Sequence, residues 1–207
     1  MSSWFLVRHG ETTWNIEGRA QGHVDTPLNE VGLRQAELAA ARLAGVPFAA
    51  AYSSDLPRAL EAARLLIKGR STHLCAVPDL RELSYGEWEG VTYGDVQARY
   101  PALYAELMSS DVAFAPPGGE SVEDLVHRVG ALQERLRRTH REGENVLVVG
   151  HGGSLRALLV GVLELSVTSF WRFKLDLGSL SIVTLSPGGA TLDLWNDTTH
   201  LEHTDDR

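Results

Sequence analysis

Two apolar runs, one near the start of the chain and one in its last third, end in the same pair of residues. Trp4-Phe5-Leu6-Val7 runs into Arg8-His9-Gly10-Glu11-Thr12, and Asn145-Val146-Leu147-Val148-Val149 runs into Gly150-His151-Gly152-Gly153-Ser154. Four apolar residues in a row suit a strand buried on both faces, as in parallel α/β sheets, where functional residues gather at the carboxyl ends of the strands. If the two strands are parallel neighbours, both imidazoles reach one crevice. The adjoining glycines let backbone N–H groups approach a bound anion closely, and a phosphate group fits that description.

Composition limits what such a sheet can serve. With 207 residues and 43% apolar content, one domain with a substantial core is expected, carrying at most a small insertion. The formal charge of -8 offers no basic face to a nucleic-acid backbone, so no nucleic-acid partner is expected and the cations that matter should be few and local. The one cysteine, Cys75, lies in the apolar patch Leu74-Cys75-Ala76-Val77 and reads as a structural thiol. The chain opens Met1-Ser2-Ser3 and enters a strand at once, and no apolar run reaches membrane length, so a soluble cytoplasmic protein with no membrane partner is expected.

Between the two His-Gly elements the pattern alternates strand and helix. Glu11 to Gly22 reads as a polar loop. Asn29 is placed to cap a helix over Glu30 to Leu43, with Val31, Leu33, Ala36, Leu38, Ala39 and Leu43 on one apolar side. Phe48 to Tyr52 and Leu74 to Val77 read as strands. Pro57 belongs in the first turn of a helix, which sets Arg58 where free N–H groups favour an anion. Asp79 to Gly90 mixes Glu82, Glu87 and Glu89 with aromatics and glycines outside any period. A carboxyl near apolar rings suits a proton donor, but the residues themselves do not choose among the three, and most such stretches are solvated loops. Two short helices broken at Pro101 follow, then a helix from Val122 to His140 capped by Ser121. Gly152 and Gly153 open an apolar helix reaching Leu165, its N-terminus toward the same anion as His151. Ser179 to Leu185 and Thr191 to Trp195 form a hairpin closing the sheet edge. The tail from Asn196 is expected to fray, with His200 and His203 solvated. Trp14, Trp88 and Trp171 suit either a pocket wall or the core.

Taken together, Leu6-Val7-Arg8-His9-Gly10-Glu11-Thr12 with Trp14-Asn15, Ser53-Ser54-Asp55-Leu56-Pro57-Arg58-Ala59, Glu82 to Gly90, and Gly150-His151-Gly152-Gly153 resemble the histidine phosphatase superfamily, the group that includes cofactor-dependent phosphoglycerate mutases. The stretch Gln21-Gly22-His23-Val24-Asp25-Thr26-Pro27-Leu28 is most similar to small bacterial broad-specificity and α-ribazole phosphatases. The resemblance implies a three-layer α/β/α sandwich whose central sheet is mostly parallel with an antiparallel edge. It implies a phosphomonoesterase with His9 as the nucleophile that becomes a phosphohistidine. Arg8, Arg58 and His151 match its phosphate pocket, and Asn15, Gln21, Gly22 and Gly152 match further phosphate contacts. Glu82 matches the acid that protonates the leaving alcohol. No metal and no cofactor are implied, and the partner is a small phosphate ester.

A lid-like insertion around residues 86–121 would select the leaving group. Its acidic residues Asp95, Glu106, Asp111 and Glu120 weigh against a highly anionic one. The rival enzyme is a phosphoglycerate mutase, whose relatives carry longer insertions with extra basic residues, whereas Arg99 is the only cation here between Gly90 and Ser121. A non-catalytic phosphate-binding protein is the rival from another class, and the set Arg8, His9, Arg58, Glu82 and His151 argues against it. A homodimer is the general prior for such a chain.

Overall fold

The computed structural model describes residues 2–204. Six strands form one sheet: β1 Ser2–Arg8, β2 Ala50–Ser53, β3 Leu74–Ala76, β4 Asn145–Gly150, β5 Leu180–Ser186 and β6 Gly189–Asp197. Their order is β3-β2-β4-β1-β5-β6. The first four run parallel, while β5 lies antiparallel to both β1 and β6. This is the mostly parallel sheet with an antiparallel edge that the motifs imply, and the hairpin does close that edge.

Burial on both faces explains the unbroken apolar runs. Trp4, Leu6, Val146 and Val148 face a core shared with helices α6 (Val122–Thr139) and α7 (Gly152–Val162). Val7, Leu147 and Val149 face the opposite core, shared with α2 (Glu30–Arg42) and α3 (Pro57–Leu66). Each such side chain contributes roughly 1.5–3 kcal/mol by leaving water. The result is a three-layer α/β/α sandwich. Parallel pairing of β1 with β4 sets Arg8 beside Gly150, so His9 and His151 leave the sheet at the same level.

Helix starts follow their capping residues. The Asn29 side chain accepts from Gly32 N at 2.8 Å. At α6 Ser121 and Asp124 form a reciprocal box, and Arg137 and Arg138 in its last turn complement the dipole. In α2 the expected stripe is buried at Ala36, Ala39 and Leu43, while Val31 at its start is half exposed. Two short helices broken at Pro101 appear as α4 (Tyr93–Arg99) and α5 (Pro101–Met108).

Two expectations need correction. The loop after His9 contains a one-turn helix, α1 (Thr13–Ile16), because Thr12 and Asn15 cap each other's backbone N–H groups. The tail does not fray at Asn196: β6 runs on to Asp197, and Thr199–Thr204 forms a 3-10 helix packed against α2. There His200 is half buried with Nε2 3.0 Å from the Gly178 carbonyl, while the side chain of His203 lies outside the described residues.

Candidate active site

The carboxyl ends of β1 and β4 open onto a cleft of about 290 Å³. His9 lies in its floor, 3% exposed. Its Nδ1 is 2.6 Å from the Gly10 carbonyl. A carbonyl can only accept, so Nδ1 carries the proton and Nε2 keeps the lone pair. Burial pushes the His9 pKa well below the usual histidine value, and the nearby charges of Arg58 and Arg8 push the same way. The ring is therefore neutral at neutral pH. The His151 ring stands edge-on to it with centroids 5.0 Å apart. His151 is fully buried behind the cleft wall, its pKa lowered first by burial and then by Arg58, His9 and Arg8, and neither ring nitrogen has a partner among the described residues.

Two guanidinium groups flank this pair. Arg58, second residue of α3, is 1% exposed. It donates to the carbonyls of Val24 at 2.9 Å and Gly22 at 2.8 Å, which anchors the turn between them. Burial lowers its pKa to about 10, so it stays charged at neutral pH. Arg8 donates through Nη1 to the Leu175 carbonyl. In both arginines Nε is buried and without a partner among the described residues. The Glu82 carboxylate opposes the effect of burial on both, and an anion in the cleft would add the direct anionic partner that neither has among the described residues.

The amides are oriented by their neighbours. Asn15 Oδ1 accepts from Thr12 N at 3.0 Å, and Gln21 Oε1 accepts from the Thr26 hydroxyl at 2.6 Å. Both oxygens are thus occupied, which leaves the NH₂ groups as donors in a cleft that both residues line. Gly22 has φ +49°, and a Cβ there would fall 2.0 Å from the Glu89 carboxylate, so only glycine fits.

The structure also separates the three carboxylates. Glu87 is exposed on the surface. Glu89 is a brace: its Oε1 accepts from His23 N, Tyr85 N and the Ser84 hydroxyl at 3.0–3.2 Å. Only Glu82 of the three lines the cleft. Its Oε1 accepts from Leu83 N and from Gly153 N, both at 2.8 Å, leaving Oε2 for other partners. A Cβ on Gly153 would come within 2.2 Å of that Oε1. Gly152, beside it, lines the cleft next to Arg8. The predicted set is thus brought together, with His151 one layer behind the rest.

Several cleft residues escaped the sequence reading, Arg19 and Phe170 among them. Arg156 lines the wall one turn into α7, and Tyr85 and Tyr93 stand edge to face at 6.3 Å. Arg156 did leave a signal, as the only charged residue in an otherwise apolar helix. Of the tryptophans, Trp14 and Trp171 line the cleft, whereas Trp88 is buried against Tyr100 and Phe114. The acidic residues expected to repel an anionic leaving group do not face it. Asp95, Glu106 and Asp111 are exposed elsewhere, and Glu120 is paired with Arg128 at 2.8 Å. Charge along the sequence misled because the segment folds with three of these carboxylates outward and the fourth on Arg128.

Comparisons with known proteins show the family of the chain. Residues 4–198 match the family model of the histidine phosphatase superfamily, branch 1. The chain is 39% identical over 202 residues to a metal-independent phosphoserine phosphatase of Arabidopsis thaliana, covering 95% of this chain and 82% of that one. It is 34% identical over 196 residues to an adenosylcobalamin/alpha-ribazole phosphatase of Salmonella typhimurium, covering 95% and 96%. The crystal structure of the alpha-ribazole phosphatase from Shigella flexneri superposes with a TM-score of 0.88 at 30% identity, over 94% of this chain and 96% of that one.

Proposed function

Because this chain belongs to the histidine phosphatase superfamily, we propose that it hydrolyses small phosphate monoesters through a phosphohistidine formed on His9. The observation that carries the reading is a neutral imidazole, held by its Nδ1–H, in a cleft lined by the guanidinium groups of Arg8 and Arg58. The His9 Nε2 lone pair attacks phosphorus as the ester P–O bond breaks. Glu82 gives its proton to the departing oxygen and, now a carboxylate, takes one from the water that cleaves the N–P bond. Arg8 and Arg58 offset the charge of the equatorial oxygens, and the NH₂ groups of Asn15 and Gln21 and the N–H of Gly152 add donors. A dianion beside His151 favours uptake of a proton by that ring, making it a further donor.

We read residues 86–121 as a cover that shapes the leaving-group side of a single domain, since Tyr93 reaches the cleft from it. Hydrolysis is favoured over phosphoglycerate mutase chemistry because Arg99, the one cation of that segment, is exposed and does not line the cleft. No helix among the described residues is long and apolar enough to cross a membrane, and we assign the reaction to the cytoplasm.

Phosphate release from a panel of monoesters with chelator present tests the proposal, with 3-phosphoglycerate followed in parallel for isomer formation. Release from several esters without isomer is expected, and His9→Ala should abolish it while leaving the unfolding transition in place. Isomer without release makes the chain a mutase. Silence on every ester makes it a non-catalytic phosphate binder.

A further inference from the structure

Glu82 stands on a segment with no helix or strand of its own, between 3-10 turns at Pro78–Leu80 and Gly86–Trp88. Its carboxyl is held by Leu83 N and Gly153 N. Its main chain is held by other groups. The Glu82 carbonyl accepts from two side chains on different elements, His23 Nε2 at 2.8 Å and Arg128 Nη2 at 3.2 Å. Arg128 belongs to α6 and does not line the cleft. His23 belongs to the turn that brings Gln21 and Gly22 to the cleft wall.

That turn is built around the phosphoryl pocket. Arg58 donates to the carbonyls of Gly22 and Val24 and, at 3.2 Å, to the Thr26 hydroxyl. The Thr26 hydroxyl in turn donates to Gln21 Oε1 at 2.6 Å. One buried guanidinium thus fixes both the turn and the amide beside it. The His23 main-chain N donates to Glu89 at 3.0 Å, so the backbone of His23 is braced independently of its ring. Among the described residues, His23 is the one member of residues 21–26 whose side chain hydrogen-bonds Glu82. A carbonyl can only accept, so Nε2 carries a proton. It does so in the neutral ring and in the imidazolium alike, and the contact needs no charge.

An acid must stand within hydrogen-bond reach of the departing oxygen, whose place is set by the phosphoryl group, and a misplacement of about 1 Å can cost roughly 100-fold. The distance to be fixed therefore runs from the phosphoryl pocket to Glu82, and His23 spans it. We infer that His23 is a positioning residue: it references the Glu82 acid to the turn that holds the phosphoryl group. The inference rests on the phosphatase reading and on Glu82 as its acid.

The test compares nitrophenyl phosphate, whose leaving group needs little protonation, with the alkyl ester of the panel that the wild-type chain turns over fastest. His23→Ala keeps the main-chain brace to Glu89 and leaves Arg128 on the Glu82 carbonyl, so the fold has its other supports. This variant should lower kcat on the alkyl ester by about tenfold or more, and on nitrophenyl phosphate by no more than about threefold, with both KM values little changed. His23→Gln, which places an N–H close to the position of Nε2, should recover most of the alkyl kcat. In a Glu82→Gln background, His23→Ala should cost the two esters equally, because no acid is left to misplace. Equal losses on both esters in the single variant would overturn the inference, since His23 would then serve the phosphoryl pocket or the fold in general. A preferential alkyl loss that persists without Glu82, or a Gln variant no better than Ala, would overturn it as well. Release from no alkyl ester by the wild-type chain is a different failure, that of the phosphatase reading itself.

Discussion

Glu82 illustrates how much one side chain owes to two backbone donors. Because Gly153 N and Leu83 N both hold Oε1, the carboxyl presents Oε2 in a fixed direction, as proton transfer to a leaving oxygen requires. Glu82→Gln should lower turnover of alkyl phosphates by at least about tenfold more than that of nitrophenyl phosphate, whose leaving group needs little protonation. Equal losses on both would remove Glu82 from that role. The two buried imidazoles carry a stability consequence as well. His9 and His151 both have folded-state pKa values well below the ordinary one. Above about pH 6.5 folded and unfolded rings are both neutral. Below it the unfolded chain takes up protons that the folded chain refuses. Stability should therefore fall as pH drops from about 6.5 toward the depressed folded values, by about 1.4 kcal/mol per pH unit for each ring. Denaturant unfolding of the free protein between pH 5 and 7 reads this slope, and His151→Gln should reduce it by one proton's worth.

Among the elements, α6 has a task beyond packing. Arg128 on that helix donates to the carbonyls of Asp79 at 2.8 Å, Arg81 at 3.2 Å and Glu82 at 3.2 Å, and to Glu120 through both Nε and Nη2. Glu120 in turn accepts from Ser84 N at 3.0 Å. One side chain thus fixes the irregular segment that carries Glu82 to a regular helix. His23 Nε2, 2.8 Å from the same Glu82 carbonyl, ties the segment to the turn held by Arg58. Arg128→Leu should cost about 2 kcal/mol of stability, since it leaves a carboxylate and several carbonyls short of donors. It should also lower kcat by loosening Glu82. The neighbouring Arg135→Gln, on an exposed arginine 4.0 Å from Asp79, should stay within about 0.5 kcal/mol. Similar unfolding midpoints for the two variants would deny the clamp.

At the scale of the molecule, a chain of net charge -8 concentrates arginines at the carboxyl end of its sheet. Burial is distributed just as unevenly. β4 is buried along nearly its whole length, whereas α5 buries no residue and leaves Met108 57% exposed. Amide exchange should accordingly be fastest over 101–108 and slowest in β1 and β4, because few buried contacts hold α5 closed. Exchange in α5 as slow as in the central strands would mean that the segment is as firmly packed as the core. In that case it could not serve as a movable cover.

Local patterns sufficed for much of this. Two doubly buried strands, the Asn29 and Ser121 caps, the Pro57 and Pro101 helix starts and the edge hairpin were all legible, because each depends on residues within a few positions of one another. The pairing of His9 with His151 was legible as well, since identical strand ends in a parallel sheet meet at one edge. Long-range contacts were not legible. Only the folded chain distinguishes Glu82, which rests on Gly153, from Glu89, which braces His23, and from Glu87, which faces water. Only the fold turns Asp95, Glu106 and Asp111 away from the cleft, brings Arg156 in, docks the tail on α2 and sets His200 on the Gly178 carbonyl. The physical reason is the same in each case. Short-range geometry and hydrophobic period are written in neighbouring residues, whereas the environment of a charge is made by groups that approach it from distant parts of the chain.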